Sequence, residues 1–143
     1  MATRWHLTVD CAHPSVVARF WALALGYVEP PPPDGFGSWE AWLRHEDPDD
    51  WDQGAYLVDP DGVGPKLSFM RVPEEKQAKN RLHLDVQAGG GRQVPWDQRW
   101  PKVTALVDRL VAAGGTVVRQ YDYDGNPDHI TMRDPEGNEF CVL

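Results

Sequence analysis

Basic charge is what this chain has least of. Its 14 lysines and arginines face 22 aspartates and glutamates, a formal net charge of −8. The basic patch on which binding to a phosphate backbone rests is therefore missing, and nucleic acid is excluded as a partner. Long apolar runs are missing too: none approaches the ~20 residues that cross a bilayer. The opening stretch MATRWHLTVD has no apolar segment of the kind a secretion signal carries. Both absences lead us to expect a cytoplasmic protein with no membrane partner. The two cysteines, Cys11 and Cys141, sit in apolar, strand-like surroundings and read as small hydrophobes rather than a disulfide. No glycine-rich phosphate loop, paired-cysteine motif or serine, histidine and acid order is present, which removes the commonest signatures of nucleotide, zinc and nucleophile chemistry.

What remains is a chain of 143 residues, enough for one core or for two small modules that share one. Residues 4–10 alternate, with Trp5, Leu7 and Val9 on one face and His6, Thr8 and Asp10 on the other. Pro14 suits the first turn of a helix reaching Leu25, whose Val17, Phe20, Trp21 and Ala24 form one apolar stripe, and Gly26 ends it. Tyr27-Val28 begins a second strand, and Pro30–Pro33 impose an extended connector. We expect further strands at 39–43, 55–58 and 66–72, the last with Leu67 and Phe69 on one face and Ser68 and Met70 on the other. After a polar linker at 74–80 the pattern restarts. Residues 81–87 resemble the first strand, a helix is expected from Pro101 to Ala113, and strands follow at 116–119 and 129–133. Tyr121–Asp128 reads as a polar loop, with Tyr121 and Tyr123 either covering a pocket mouth or exposed.

The C-terminal RDPEGNEFCVL holds a tight-turn signature, Asp134-Pro135-Glu136-Gly137, before a strand that turns Glu139 and Cys141 one way and Phe140 and Val142 the other. An inward carboxylate on such a strand is costly unless paired. The first half contains nearly the same turn, Asp59-Pro60-Asp61-Gly62, and His6 and His83 occupy the same place in matching strands. The expected fold is therefore α+β: module 1 (about 1–73) and module 2 (about 81–143) of one domain, each strand, helix, strand, strand, strand, forming a curled mixed β-sheet cup with helices outside.

This βαβββ repeat, with a histidine in each first strand and a DPEGNEF turn before a terminal glutamate strand, resembles the vicinal oxygen chelate superfamily. That group spans glyoxalase I, extradiol dioxygenases, fosfomycin-resistance enzymes and bleomycin-binding proteins. FWALALGY at 20–27, NRLHLD at 80–85 and residues 134–143 resemble its glyoxalase-like branch. The resemblance implies a small-molecule ligand or substrate in the cup. It also implies a metal set of His6, His83 and Glu139 for one divalent ion (Fe, Mn, Ni or Zn), Glu139 having a catalytic part. Two imidazoles and a carboxylate are the donors of a facial triad. The fourth family position falls at Ser68 by hydrophobic register, or at Gly64 by an ungapped match; neither is a good ligand. A metal-free cup is the competing expectation, with an apolar or aromatic ligand held by Trp39 or Trp42, Tyr56, Ser68, Met70, Asp85 and His129. Whether the modules pair within one chain or across a homodimer, and whether the protein is an enzyme, stay open at this point.

Overall fold

The computed structural model describes residues 1–143, which divide into two compact units, Met1–Glu75 and Lys76–Leu143. In the first unit the alternation at the N-terminus forms β1 (Leu7–Cys11), and the stripe that follows forms α1 (Pro14–Leu25). Pro14 opens the helix and Gly26 ends it in the left-handed region at φ 69°. Asp52 completes the start, its carboxylate accepting from the Ser15 N–H and hydroxyl at 2.9 Å each. β2 (Gly54–Leu57) and β3 (Leu67–Arg71) complete a mixed sheet of order β1-β3-β2, with β1 parallel to β3 and β2 antiparallel to it. Leu57, Leu67 and Phe69 join Val17, Phe20 and Trp21 of α1 in the buried core. Each such side chain contributes roughly 1.5–3 kcal/mol on burial.

One expected strand is wrong. Residues 39–43 do not extend but belong to α2 (Trp39–Glu46). The alternation of Trp39, Ala41 and Leu43 suggested a strand, yet the helix is locally well specified. The Ser38 hydroxyl caps it by accepting from the Ala41 N–H at 3.0 Å, and Glu40 pairs with Arg44 one turn on at 2.9 Å. Tyr27-Val28 is likewise reduced to a single bridge, Val28 to Val58.

In the second unit, β4 (Asp85–Val86), β5 (Thr116–Tyr123), β6 (Asn126–Arg133) and β7 (Glu139–Val142) form a mixed sheet of order β4-β7-β6-β5. Of the expected strand 81–87 only Asp85 and Val86 hold ladder register with β7, and the Leu84 carbonyl accepts from the Cys141 N–H at 2.9 Å. The helix, α3 (Trp96–Ala112), begins before Pro101 and tolerates it, at the loss of one main-chain hydrogen bond. The expected polar loop at 121–128 is instead the tip of the β5–β6 hairpin. Asp124 and Gly125 turn it with φ of 52° and 79°, the two positive angles of a tight hairpin turn. Val103, Leu110, Met132, Phe140 and Val142 are fully buried where α3 meets the sheet.

The two sheets follow one plan. β1, β3 and β2 correspond to β4, β7 and β6, each beginning with a parallel pair whose crossover passes through a helix. No helix is long and apolar enough to cross a membrane.

Candidate functional site

The two DP turns set the registers on which any site depends. Asp59 gathers the N–H groups of Asp61, Val63 and Gly64 at 2.9, 3.0 and 2.6 Å. Those donors, Gly64 first, hold its carboxyl below the ordinary aspartate range. Asp134 does the same for Glu136 and Asn138, both at 2.9 Å. In both turns the glycine N–H closes onto the aspartate carbonyl at 3.0 Å, with φ of 70° at Gly62 and 85° at Gly137.

Beyond the second turn, β7 buries Phe140 and Val142 and leaves Glu139 and Cys141 half-buried on the opposite face, as the alternation requires. Glu139 is already compensated by cations. Lys79 donates to it, Arg133 lies 3.5 Å away, and its side chain is 16% exposed. Lys79 first, then Arg133, keep its carboxyl below the usual glutamate range. His83 and Glu139 both line a pocket of about 150 Å³ with Cys141, Thr131, Tyr121 and Lys79. His83 faces Asp85 at 3.2 Å, and donor atoms of His83, Asp85 and Cys141 all lie within 4.8 Å of one another. Nitrogen, oxygen and sulfur in that set suit zinc or a late transition metal, after a small inward shift of the ligand atoms.

His129 is drawn elsewhere. It stacks on Tyr121 with ring centroids 4.8 Å apart and meets Asp128 at 3.0 Å. Asp128, 1% exposed, also takes Arg92 at 2.6 and 3.1 Å and the buried Arg99 at 2.9 Å. Arg92 foremost, with His129 and Arg99, drives its carboxyl far below the normal range. Sequence reading missed this cluster, because Arg92 and Arg99 lie far from Asp128 along the chain and share no motif with it.

In the first unit, His6 is exposed and directly precedes β1. Ser68 pairs with Tyr56 on one side and Thr8 on the other, while Met70 is 49% exposed. Trp39 and Trp42 do not face opposite ways, as a strand would require. One helical turn apart on α2, they meet edge to face with centroids 5.6 Å apart, and Trp39 also contacts the Tyr56 ring at 4.8 Å. Trp39 is anchored through its indole N–H to the Pro30 carbonyl at 2.9 Å. Trp39, Tyr56, Trp51 and Leu43 line a pocket of about 260 Å³ between α1, α2 and the outer edge of β2. Trp51, which sequence reading did not single out, carries the Arg44 guanidinium 4.1 Å from its ring centroid. Ser68 and Met70 do not reach this pocket, and Asp85 and His129 belong to the other unit.

The registers also correct the expected fourth ligand position. Ser68 pairs with Tyr56 and Thr8 as Cys141 pairs with Thr131 and Asp85. Ser68 therefore corresponds to Cys141, and the residue corresponding to Glu139 is Lys66, whose ammonium sits 4.7 Å from the Tyr56 ring centroid. The turn of the first unit is two residues longer, which is why both sequence alignments missed it.

The model of the glyoxalase-like domain family matches residues 6–143. The chain belongs to this family. No curated protein matches it significantly. Among solved structures, the glyoxalase-like chain is similar to a glyoxalase/bleomycin resistance protein/dioxygenase family enzyme from Burkholderia phytofirmans PsJN. That match has 15% identity and a TM-score of 0.61, covering 96% of this chain and 94% of that one. A second similar structure is a single-residue mutant of the fosfomycin resistance protein FosX from Listeria monocytogenes, complexed with Mn(II) and 1S,2S-dihydroxypropylphosphonic acid. It shows 12% identity and a TM-score of 0.62, covering 99% and 89% of the two chains. A domain from Frankia sp. EAN1pec matches at 14% identity and a TM-score of 0.59, over 99% and 96%. At these identities the likeness establishes the α+β fold of the glyoxalase-like chain, and its chemistry has to be argued from its own residues.

Proposed function

We propose that this glyoxalase-like protein binds an apolar or aromatic small molecule without a metal, and that Trp39 and Tyr56 are walls of its binding site. The observation that carries the reading is the pocket of about 260 Å³ in the first unit, where Trp39, Trp51 and Tyr56 supply flat apolar surface at little entropic cost. Two further features support it. Glu139 has Lys79 and Arg133 as counter-charges, so no ion is needed to explain it. Lys66 stands where a four-ligand site would place its remaining donor, and an ammonium cannot coordinate. Titration of the protein with a panel of aromatic compounds in chelator-containing buffer, followed by tryptophan fluorescence, tests the reading. Saturable micromolar binding that Trp39→Ala weakens at least tenfold is expected. A panel without binders, alongside turnover that a chelator abolishes, would sink it.

A second reading is a divalent-metal-dependent lyase, isomerase or ring-cleaving dioxygenase acting on a substrate with vicinal oxygens. It is favoured by the convergence of His83, Asp85 and Cys141 and by the shared pocket of His83 and Glu139. Here His6, His83 and Glu139 would hold the ion, which would supply Lewis-acid polarisation of the substrate oxygens. On this reading protein purified without chelator carries about one ion per chain, and His83→Ala loses it. Elemental analysis decides between the two readings.

A further inference from the structure

The aromatic pocket, taken as the ligand site proposed above, has a wall of a different kind: the bare edge of a β-strand. Val58 exchanges main-chain hydrogen bonds with Val28, at 2.8 and 3.0 Å, on the side of β2 away from β3. Direction alternates along an antiparallel strand. Tyr56, two residues earlier, therefore turns its own N–H and C=O to that outer side, while Ala55 and Leu57 turn theirs to β3. No strand or side chain bonds to the outward pair at Tyr56. In the second unit the matching edge of β6 is paired along its length by β5. In the first, the chain that would continue from Val28 is Glu29 and Pro30–Pro33, and proline has no N–H to give. The strand stops at this single bridge, and Gly54–Leu57 of β2 and Glu29 both line the pocket.

We propose that this vacated strand slot binds a small aromatic lactam or primary carboxamide. Its adjacent N–H and C=O would pair with the C=O and N–H of Tyr56, and its ring would lie against Trp39 and Trp51. The occupant is small because the Val28–Val58 bridge closes one end, α2 flanks the slot, and about 260 Å³ does not admit an extended peptide. It is uncharged because the lining carries both signs, Glu29 and Glu40 with Arg19, so that neither a cation nor an anion is favoured. Glu29 accepts from the Trp39 N–H at 3.4 Å and Glu40 is paired with Arg44.

The test is an amide NMR titration of the ¹⁵N-labelled full chain with isoquinolin-1(2H)-one and with its N-methyl derivative, which keeps the ring and loses the donor. The lactam should shift the Tyr56 amide downfield, perturb Gly54–Leu57 saturably, and bind about tenfold or more tighter than the N-methyl compound. Trp39→Ala should weaken both, and Trp39→Phe should restore part of the loss. Equal affinities, with shifts confined to indole N–H groups, overturn amide pairing and leave the aromatic pocket standing. Failure of both compounds to bind overturns the pairing and the pocket together. A blocked alanine peptide that shifts the Tyr56 amide where the lactam does not replaces this proposal with strand addition.

Discussion

The edge of β2 and the edge of β6 are the same place in two copies of one plan, and they have been finished differently. β6 is covered by an eight-residue strand that returns through a tight Asp124-Gly125 turn. β2 is left with one bridge, four prolines and a helix laid alongside. A sheet edge that is not paired has to be managed. The second unit manages it with backbone, and the first with bulk and rigidity, which leaves a hollow. The hollow lies beside the missing strand, and the proposal above makes it the place where a ligand would reach the backbone.

Three experiments sharpen or break this comparison. The largest effect is expected at Asp128. Its repeat-related position in the first unit is the exposed Gln53, so the first unit has no counterpart of this buried acid. Asp128→Ala should cost about 3–5 kcal/mol in urea unfolding, because Arg99 stays buried without its partner. The pH dependence has a definite sign. The folded carboxyl lies below its unfolded value of about 3.9, so its contribution is complete at neutral pH. It is lost as pH falls through that value and below, where the unfolded chain takes up the proton first. Urea midpoints should therefore drop below about pH 4 in the parent and drop less in Asp128→Asn. Midpoints that fall in parallel would remove Asp128 from the account.

Next come Leu67 and Phe140, which hold equivalent register positions and are both buried. Phe140→Ala should cost about 3–5 kcal/mol and Leu67→Ala about 2–5. Hydrogen exchange would show whether each loss stays in its own unit or spreads to the other. The smallest effect is in the turns. Asp134→Ala should cost about 1–3 kcal/mol by stranding the Glu136 and Asn138 N–H groups. Asp59→Ala should cost less, because its turn is more open to water. The reverse order would show that the two turns are not equivalent supports.

Much of the fold was legible because its signals are local. Pro14 and Gly26 bracket α1, the two DP turns mark each return, and alternation at Glu139–Val142 sorts that strand into faces. Residues 39–43 failed because five residues that alternate fit both a strand and one helical turn. The deciding facts, the Ser38 cap and the Glu40–Arg44 spacing, lie at and beyond the edges of that window. The hairpin tip failed because polar residues were read as loop, although Asp-Gly is the residue pair such a turn favours. For the site, the histidines and Glu139 were legible as types in a repeat. Their counter-charges were not, since Lys79 reaches Glu139, and Arg92 and Arg99 reach Asp128, only through tertiary packing. Trp39 and Trp42 were found as ring surface, and only the helix brings them together.

Lys66 and Glu139 stand at matching places with opposite charge. An assembly of two identical half-length chains could not arrange this, since whatever residue one carried the other would carry too. Carrying both copies in a single polypeptide lets each position vary alone, so one can hold an acid where the other holds a base.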